Sequence, residues 1–322
     1  MMLFFCTKNK FKEIQININR KEGKKMNNLE EKKYWVWLSL INGLGAIKKK
    51  KLLELYETPE KIYKLNKGEL LQIPGIGEKL VDKILNEEIR TSISKHIRYM
   101  QNNNIDIINI NDKSYPQLLR QIYDAPISLY IKGNKEILNN KSIAVVGCRE
   151  ASEYGKKAAK YFAYNLTQNN FNIISGLAKG VDSYAHIGSI CTENNASYGK
   201  TIAVVGNGLD IIYPSENRQL AEKIIQQGGA IISEYPLGTK PDKMNFPARN
   251  RIISGMSKGI VVVEAKEKSG TLITVDFALE QGRDVFVVPG NINSTNSVGT
   301  NDLIKQGAKI VTTYNDIAEF YC

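Results

Sequence analysis

From Lys141 onward, short apolar runs alternate strictly with stretches of helical periodicity. The runs fall at 142–147, 171–175, 201–206, 229–233, 259–265, 284–289 and 308–311. The helical stretches fall at 153–168, 181–190, 216–227, 248–256, 270–282, 299–306 and 314–321. The runs are short and rich in valine and isoleucine, as strands buried on both faces are. Such strands alternating with helices predict an α/β domain built on a mostly parallel sheet with helices on both faces. A further strand is expected at Ile105–Ile110, and Tyr115–Leu119 and Asp124–Gly133 read as a linking section.

In an open parallel sheet, ligands sit beyond the carboxyl ends of the strands. The chemistry-bearing residues of the chain fall at those exits: Gly147-Cys148-Arg149, then Gly176 to Lys179-Gly180, then Gly206 to Asp210, then Glu234, then Ser269-Gly270-Thr271. Small residues at Ser269–Thr271 are expected to leave the N–H groups of the following helix open to an anion. The segment Phe246-Pro247-Ala248-Arg249-Asn250-Arg251 reads as the start of a short helix with Pro247 at its first position. Arg249 and Arg251 then sit in a first turn, where cations oppose the helix dipole and call for a nearby anion or carboxylate. Two residues apart, they point in different directions. One is left to face a ligand while the other pairs with Glu234 or Glu264. Phe246 beside these arginines suits either a core position or a stack on a nucleobase.

Each of these residues also has a plain reading as a surface arginine, a solvated lysine or a turn glycine. Their coincidence on one sheet edge favours a ligand site. Cys148 reads as a small loop residue with no histidine-based partner, and His186 as a core or capping residue. A dinucleotide cofactor fits poorly. The first exit lacks GxGxxG, Gly206-Asn207-Gly208-Leu209-Asp210-Ile211 carries Ile at the third glycine position, and no Walker lysine motif occurs. No cofactor is expected. With four scattered cysteines and two histidines, neither is a metal site.

The preceding segment has a different grammar. Residues 29–40 read as a helix carrying Trp35 and Trp37. Ile41-Asn42-Gly43-Leu44-Gly45 follows, and Ile73-Pro74-Gly75-Ile76-Gly77 repeats the pattern ahead of Lys79. Helix, Gly-x-Gly turn, helix is a helix-hairpin-helix pattern whose turn N–H groups can hold a DNA phosphate. The same turn also serves simply to pack helices. Packing is the preferred reading for the first copy; for the second, with Gly75, Gly77 and Lys79, the two readings stand level. Three segments result: a leader at 1–25, a small all-α helix-hairpin-helix (SAM-like) domain at 26–104, and the α/β domain at 105–322.

The net charge of +11 suggests nucleic acid, but the first 25 residues contribute +5 of it. Lys21-Glu22-Gly23 can be encoded by a ribosome-binding sequence a short distance before Met26, so translation is expected to start at Met26. No apolar run approaches a membrane span. The free thiols point to a reducing compartment, hence the cytoplasm.

The ordered motifs resemble those of the bacterial DNA-processing protein A family (DprA/Smf). They are Tyr115-Pro116 with Leu118; Ala144 to Arg149 with Ser152 and Tyr154-Gly155; Ser175-Gly176-Leu177-Ala178-Lys179-Gly180-Val181-Asp182 with Ala185-His186; Thr201 to Val204 with Tyr213-Pro214; and Ser233 to Pro236. Phe246-Pro247 with Arg249-Asn250-Arg251, Glu264-Ala265 with Ser269 to Leu272, and Gly282-Arg283 with Val288-Pro289-Gly290 complete the series. The resemblance spans about residues 30–315. It implies an extended Rossmann-like domain after a small helical one, and no catalysis. It implies single-stranded DNA binding and protection, loading of the RecA recombinase during natural transformation, and a homodimer. By the same resemblance, Arg149 and Lys179 would contact DNA phosphates beside Phe246–Arg251. Cys148 replaces a usual serine and Ala125 a usual proline. The winged helix that ends many relatives is not expected within these residues.

The alternative class is a nucleotide-processing enzyme of the phosphoribohydrolase-like Rossmann type. Those enzymes place a glutamate after their Gly-Gly-x-Gly-Thr turn, and this chain has Thr274 there. Without that carboxylate the hydrolysis has no evident base, which favours binding over catalysis.

Overall fold

Glycines at two matching turns shape the N-terminal unit of the computed structural model, which describes residues 30–322 apart from 193, 194 and 196. The expected leader, and the start at Met26, lie outside the described residues. The chain divides after Tyr99 into two units, a few residues before the expected boundary. The first holds helix α1 through residues 30–40, α2 (Ala46–Tyr56), α3 (Pro59–Tyr63), α4 (Lys67–Leu71), α5 (Glu78–Ile84) and most of α6 (Glu87–Asn102). Gly43 and Gly75 take φ of 84° and 87°, a region that suits residues lacking a Cβ. Gly45 and Gly77 are the N-caps of α2 and α5. Leu44 and Ile76, between the paired glycines, both point into the core. The first hairpin therefore has the same geometry as the second. Trp37 is fully buried, Trp35 nearly so, and the Trp37 ring meets Tyr63 edge-on at 5.0 Å. Arg90 lies over the same tyrosine ring at 4.2 Å and donates to the Tyr63 carbonyl at 3.0 Å.

The second unit is a nine-stranded sheet in the order β1-β2-β6-β5-β4-β3-β7-β8-β9. Its strands are β1 (Ile105–Asn109), β2 (Ser128–Gly133), β3 (Ser142–Val146), β4 (Asn172–Ser175), β5 (Thr201–Val205), β6 (Ala230–Ser233), β7 (Gly259–Val262), β8 (Asp284–Val287) and β9 (Lys309–Ile310). Strands β3 to β9 pair in parallel, and β1 and β2 add an antiparallel edge against β6. The expected α/β fold is present. The linking section is corrected: part of it, Ser128–Gly133, is strand β2, buried over its first four residues.

The helices of this unit are α7 (Gln117–Arg120), α8 (Glu153–Gln168), α9 (Val181–Ile190), α10 (Arg218–Gln226), α11 (Asn245–Gly255), α12 (Gly270–Glu280), α13 (Val298–Lys305) and α14 (Asn315–Ala318). Alternate residues of β3 feed two cores, as the pleat requires. Ile143 and Val145 pack with Phe162, Leu166 and Ala185 of α8 and α9. Ala144 and Val146 pack with Ile252, Ile253 and Val275 of α11 and α12. From β3 the chain steps outward through β4, β5 and β6, then returns to lay β7 on the other side of β3. That reversal opens a crevice at the carboxyl ends of β3 and β7. Among the described residues no helix is long and apolar enough to cross a membrane.

His186 of α9 sits wholly in the interior. The Thr201 hydroxyl donates to the Ile173 carbonyl at 2.9 Å, so it accepts from His186 Nδ1, 2.7 Å away. Nε2 is then the unprotonated nitrogen, buried and without a hydrogen-bond partner. Burial, reinforced by the Arg249 charge, pushes the His186 pKa down from 6.5 to about 3. A depressed folded pKa means the unfolded chain binds the extra proton, so the stabilising contribution is present above pH 6.5 and is lost as pH falls toward 3. Wild type is expected to lose about 1.4 kcal/mol per pH unit below 6 relative to His186→Gln. Urea unfolding of the two proteins at several pH values between 7 and 4.5 measures the difference. Parallel pH profiles would show that the imidazole is not held neutral.

Candidate functional site

The crevice holds a cavity of about 610 Å3. Its wall combines the β3 exit (Val146 to Glu150), the β7 exit and start of α12 (Lys266, Lys268 to Thr271), and one side of α11 (Phe246, Pro247, Arg249, Asn250). Tyr213 and Lys243 close it. Five cations line it, Arg149, Lys243, Arg249, Lys266 and Lys268, against the two carboxylates Glu150 and Asp182. Lys266 is paired with Glu150 at 2.7 Å. Arg149, Lys243 and Lys268 make no ion pair with any described residue.

Phe246 carries the aromatic part. Its ring stacks on Tyr213 with centroids 5.5 Å apart and planes 22° from parallel. The Arg149 guanidinium lies over the same ring at 5.4 Å. Cation, phenyl and phenol thus form one group at the mouth of the crevice, with Arg149 and Tyr213 exposed and Phe246 half-buried. Sequence reasoning placed Arg149 and Phe246 here but passed over Tyr213, Lys243 and Lys268 as site residues. Signals for them existed. Tyr213 belongs to the Tyr-Pro pair beyond the β5 exit, Lys243 precedes Phe246 by three residues, and Lys268 adjoins Ser269.

Arg249 and Arg251 part company as expected, but neither hangs in solvent. Helix α11 begins at Asn245, which puts Pro247 third and moves both arginines out of the first turn. The dipole conflict inferred from the sequence therefore does not arise. Arg251 is corrected as a ligand contact. It donates to Glu234 at 2.7 and 2.9 Å and pairs with Asp124 at 2.9 Å, and it is buried. Arg249 is a clamp beneath the cavity. Its Nη1 donates to the Gly176 carbonyl at 2.6 Å and to the Val204 carbonyl, tying the β4 and β5 exits together. Burial pulls the Arg249 pKa down against the opposing charge of Asp182. Burial likewise pushes the Asp182 carboxyl up, against the pull of Arg249 and of the Gly176 and Ala178 amides.

The glycine turns are more closed than expected. Gly176 N–H and Ala178 N–H donate to Asp182 at 3.2 and 3.4 Å, so that turn is satisfied from within. Gly176 has no room for a side chain beside Arg249 and Asp182. Gly180, at φ +76°, lets its loop touch the β3 exit, where a Cβ would meet the Cys148 and Arg149 carbonyls at 2.3 Å. Gly147 packs on Val181 in the same seam. At the start of α12, Ser269 Oγ and its carbonyl accept the Thr271 and Leu272 N–H groups at 3.2 and 3.0 Å. The expectation that these N–H groups lie open is corrected. Asn250 donates to the Gly270 carbonyl at 3.3 Å and binds α11 to that turn. Burial pushes the Cys148 thiol up, leaving it a weak donor on the wall. Lys179 stands at the rim, paired with Glu216 and outside the cavity lining. Gly75, Gly77 and Lys79 belong to the helical unit, at the turn into α5 and its first turn.

Fold and cavity together define a Rossmann-like α/β protein with a cationic, ring-lined crevice at the point where its strand order reverses. The chain belongs to the DNA recombination-mediator protein A family, whose sequence model matches residues 106–322. Residues 38–91 match a SAM-like helix-hairpin-helix tandem. It is 37% identical over 291 residues to Protein Smf of Synechocystis, covering 89% of this chain and 72% of that one. It is 46% identical over 213 residues to DNA processing protein DprA of Streptococcus pneumoniae, covering 66% and 73%. The X-ray structure of the Streptococcus pneumoniae protein superposes with a TM-score of 0.76 at 37% identity, covering 89% of this chain and 97% of that one. DNA processing protein A from Helicobacter pylori, whose structure is described for its single-stranded DNA binding mode, gives 0.59 at 28% identity, covering 67% and 95%.

Proposed function

We propose that this protein binds and protects single-stranded DNA through the crevice between β3 and β7, loads the RecA recombinase onto it during transformation and recombination, and acts in the cytoplasm as a homodimer without catalysing a reaction. The observation that carries the reading is the union, in one cavity, of a stacked ring pair with cations that make no ion pair among the described residues. Arg149, Lys243 and Lys268 supply charge for phosphates, and Phe246 with Tyr213 supplies a face for a base. Aromatic stacking and backbone neutralisation are the two parts of single-strand binding that ignore sequence. The single-stranded DNA binding mode of the Helicobacter pylori relative supports the ligand, and the family's character as recombination mediators supports the RecA step.

The absence of catalysis rests on what the two lining carboxylates already do. Glu150 is held by Lys266, and Asp182 accepts two backbone N–H groups. Thr274, on the wall where the hydrolases carry glutamate, cannot take a proton from water. Release of free base from nucleoside monophosphates by the purified protein would overturn this part.

Fluorescence anisotropy with a labelled oligo(dT) tests the binding. Affinity should fall with salt, log K against log[salt] having a slope of about −0.7 per neutralised phosphate. Phe246→Ala should weaken binding by roughly 1–3 kcal/mol, the worth of one base stack, with the salt slope unchanged. A flat salt response, or an unaltered Phe246→Ala variant, would remove the crevice as the site.

A further inference from the structure

We infer that the crevice is a complete site for a free nucleoside 5′-monophosphate, with the base on Phe246 and Tyr213 and the phosphate at Arg149 and Lys268; the inference rests on the reading of the crevice as the nucleic-acid site. Its shape is the first argument. Single-strand binders without sequence preference track the backbone along a groove, with aromatic platforms for successive bases. Here the described residues of the crevice offer one ring pair, Phe246 and Tyr213, and one cavity of about 610 Å3. That volume falls within the range of small-ligand pockets, about 300–1,000 Å3. The wall is continuous from the β3 exit to the start of α12 and across to α11.

Position is the second argument. The cavity lies at the carboxyl ends of the parallel neighbours β3 and β7, from which the chain steps to opposite sides of the sheet, to β4 and to β8, the place where doubly wound sheets hold mononucleotide units. Chemistry is the third. A nucleotide is the smallest ligand that uses both the rings and the cations. A nucleoside leaves Arg149, Lys243 and Lys268 without an anion, and inorganic phosphate leaves the rings uncovered. Arg149 couples the two halves, since its guanidinium already lies over the Phe246 ring while it makes no ion pair with any described residue. Bound nucleotide would leave unchanged and would compete with single-stranded DNA.

Isothermal titration of the full-length protein with AMP, adenosine and inorganic phosphate, beside anisotropy with labelled oligo(dT), tests this. AMP should bind with a Kd of roughly 0.1–1 mM, adenosine and phosphate each at least tenfold more weakly, and AMP should displace the oligonucleotide. Phe246→Ala and Tyr213→Ala should each weaken AMP by roughly fivefold or more. Folding of the variants is checked by their thermal midpoints, and Arg149→Gln, an exposed position, supplies an independent test of the phosphate half. No AMP binding beside normal oligonucleotide binding overturns the inference and leaves the DNA reading standing. AMP binding without oligonucleotide binding supports the inference and removes the DNA reading. Binding of neither overturns both. Equal affinity for phosphate and AMP, or AMP binding indifferent to all three substitutions, also overturns it.

Discussion

Arg149→Glu is expected to weaken single-strand binding by about 2–4 kcal/mol, from loss of a phosphate contact and the new like-charge repulsion. Arg149 is exposed on a loop, pairs with no described carboxylate and sits over Phe246 at the cavity mouth. Removing its charge leaves nothing buried and unpaired, so the fold is expected to persist. The substitution also places a carboxylate beside Glu150 and over the ring that would receive a base. Lys179→Glu makes the contrast. Lys179 stands at the rim and already neutralises Glu216, so the same reversal should have a clearly smaller effect. Gel shifts and anisotropy on both variants, with circular dichroism to confirm folding, decide the point. Equal losses at the two positions would show that the phosphate path runs along the rim rather than into the cavity.

Arg249→Met is expected to destabilise the folded protein by roughly 3–5 kcal/mol, the usual result of removing one member of a buried charged group. The guanidinium holds the Gly176 and Val204 carbonyls and offsets the charge of Asp182. Methionine keeps much of the volume but leaves two carbonyls without that donor and a carboxylate without its counter-charge. Asp182→Asn in the same chain should recover part of the loss, because it removes the orphaned charge. The coupling between the two sites, read from urea midpoints of the single and double variants, should be well above zero. Strict additivity would mean that Arg249 and Asp182 do not sense each other. Loss of DNA affinity with unchanged stability would return Arg249 to the role of a direct contact.

The parallel sheet was legible because its strands are short, branched and buried on both faces, so each stands out between two helical stretches. Strand β2 was not, because Ser128–Gly133 runs antiparallel and is joined to β1 by a linker with only the one-turn helix α7. The alternation rule has no place for such an element. The cavity was legible only in part: topology alone brings the ends of β3 and β7 together, while Gly206 to Asp210 and Glu234, at the next exits, lie outside its lining. Which arginine of α11 faces the cavity was not. The answer depends on Glu234 and Asp124 on one side and on Gly176 and Val204 on the other, partners far away in the chain. The glycine turns misled for a related reason. Glycine marks a close approach equally well whether the approaching group is a ligand or Asp182. Tyr213 enters only because the loop after β5 reaches Phe246, and spacing in the chain does not encode that reach.

The two tryptophans of the chain, Trp35 and Trp37, are both buried in the helical unit. Indole emission therefore follows that unit alone, and the nine-stranded sheet is invisible at its wavelengths. An unfolding curve recorded by tryptophan fluorescence would report the helix-hairpin-helix pair even while the α/β unit melted separately. The same silence is useful. A tryptophan placed at Tyr213 would be the first such fluorophore in the α/β unit, positioned against Phe246 to register a nucleotide's arrival directly.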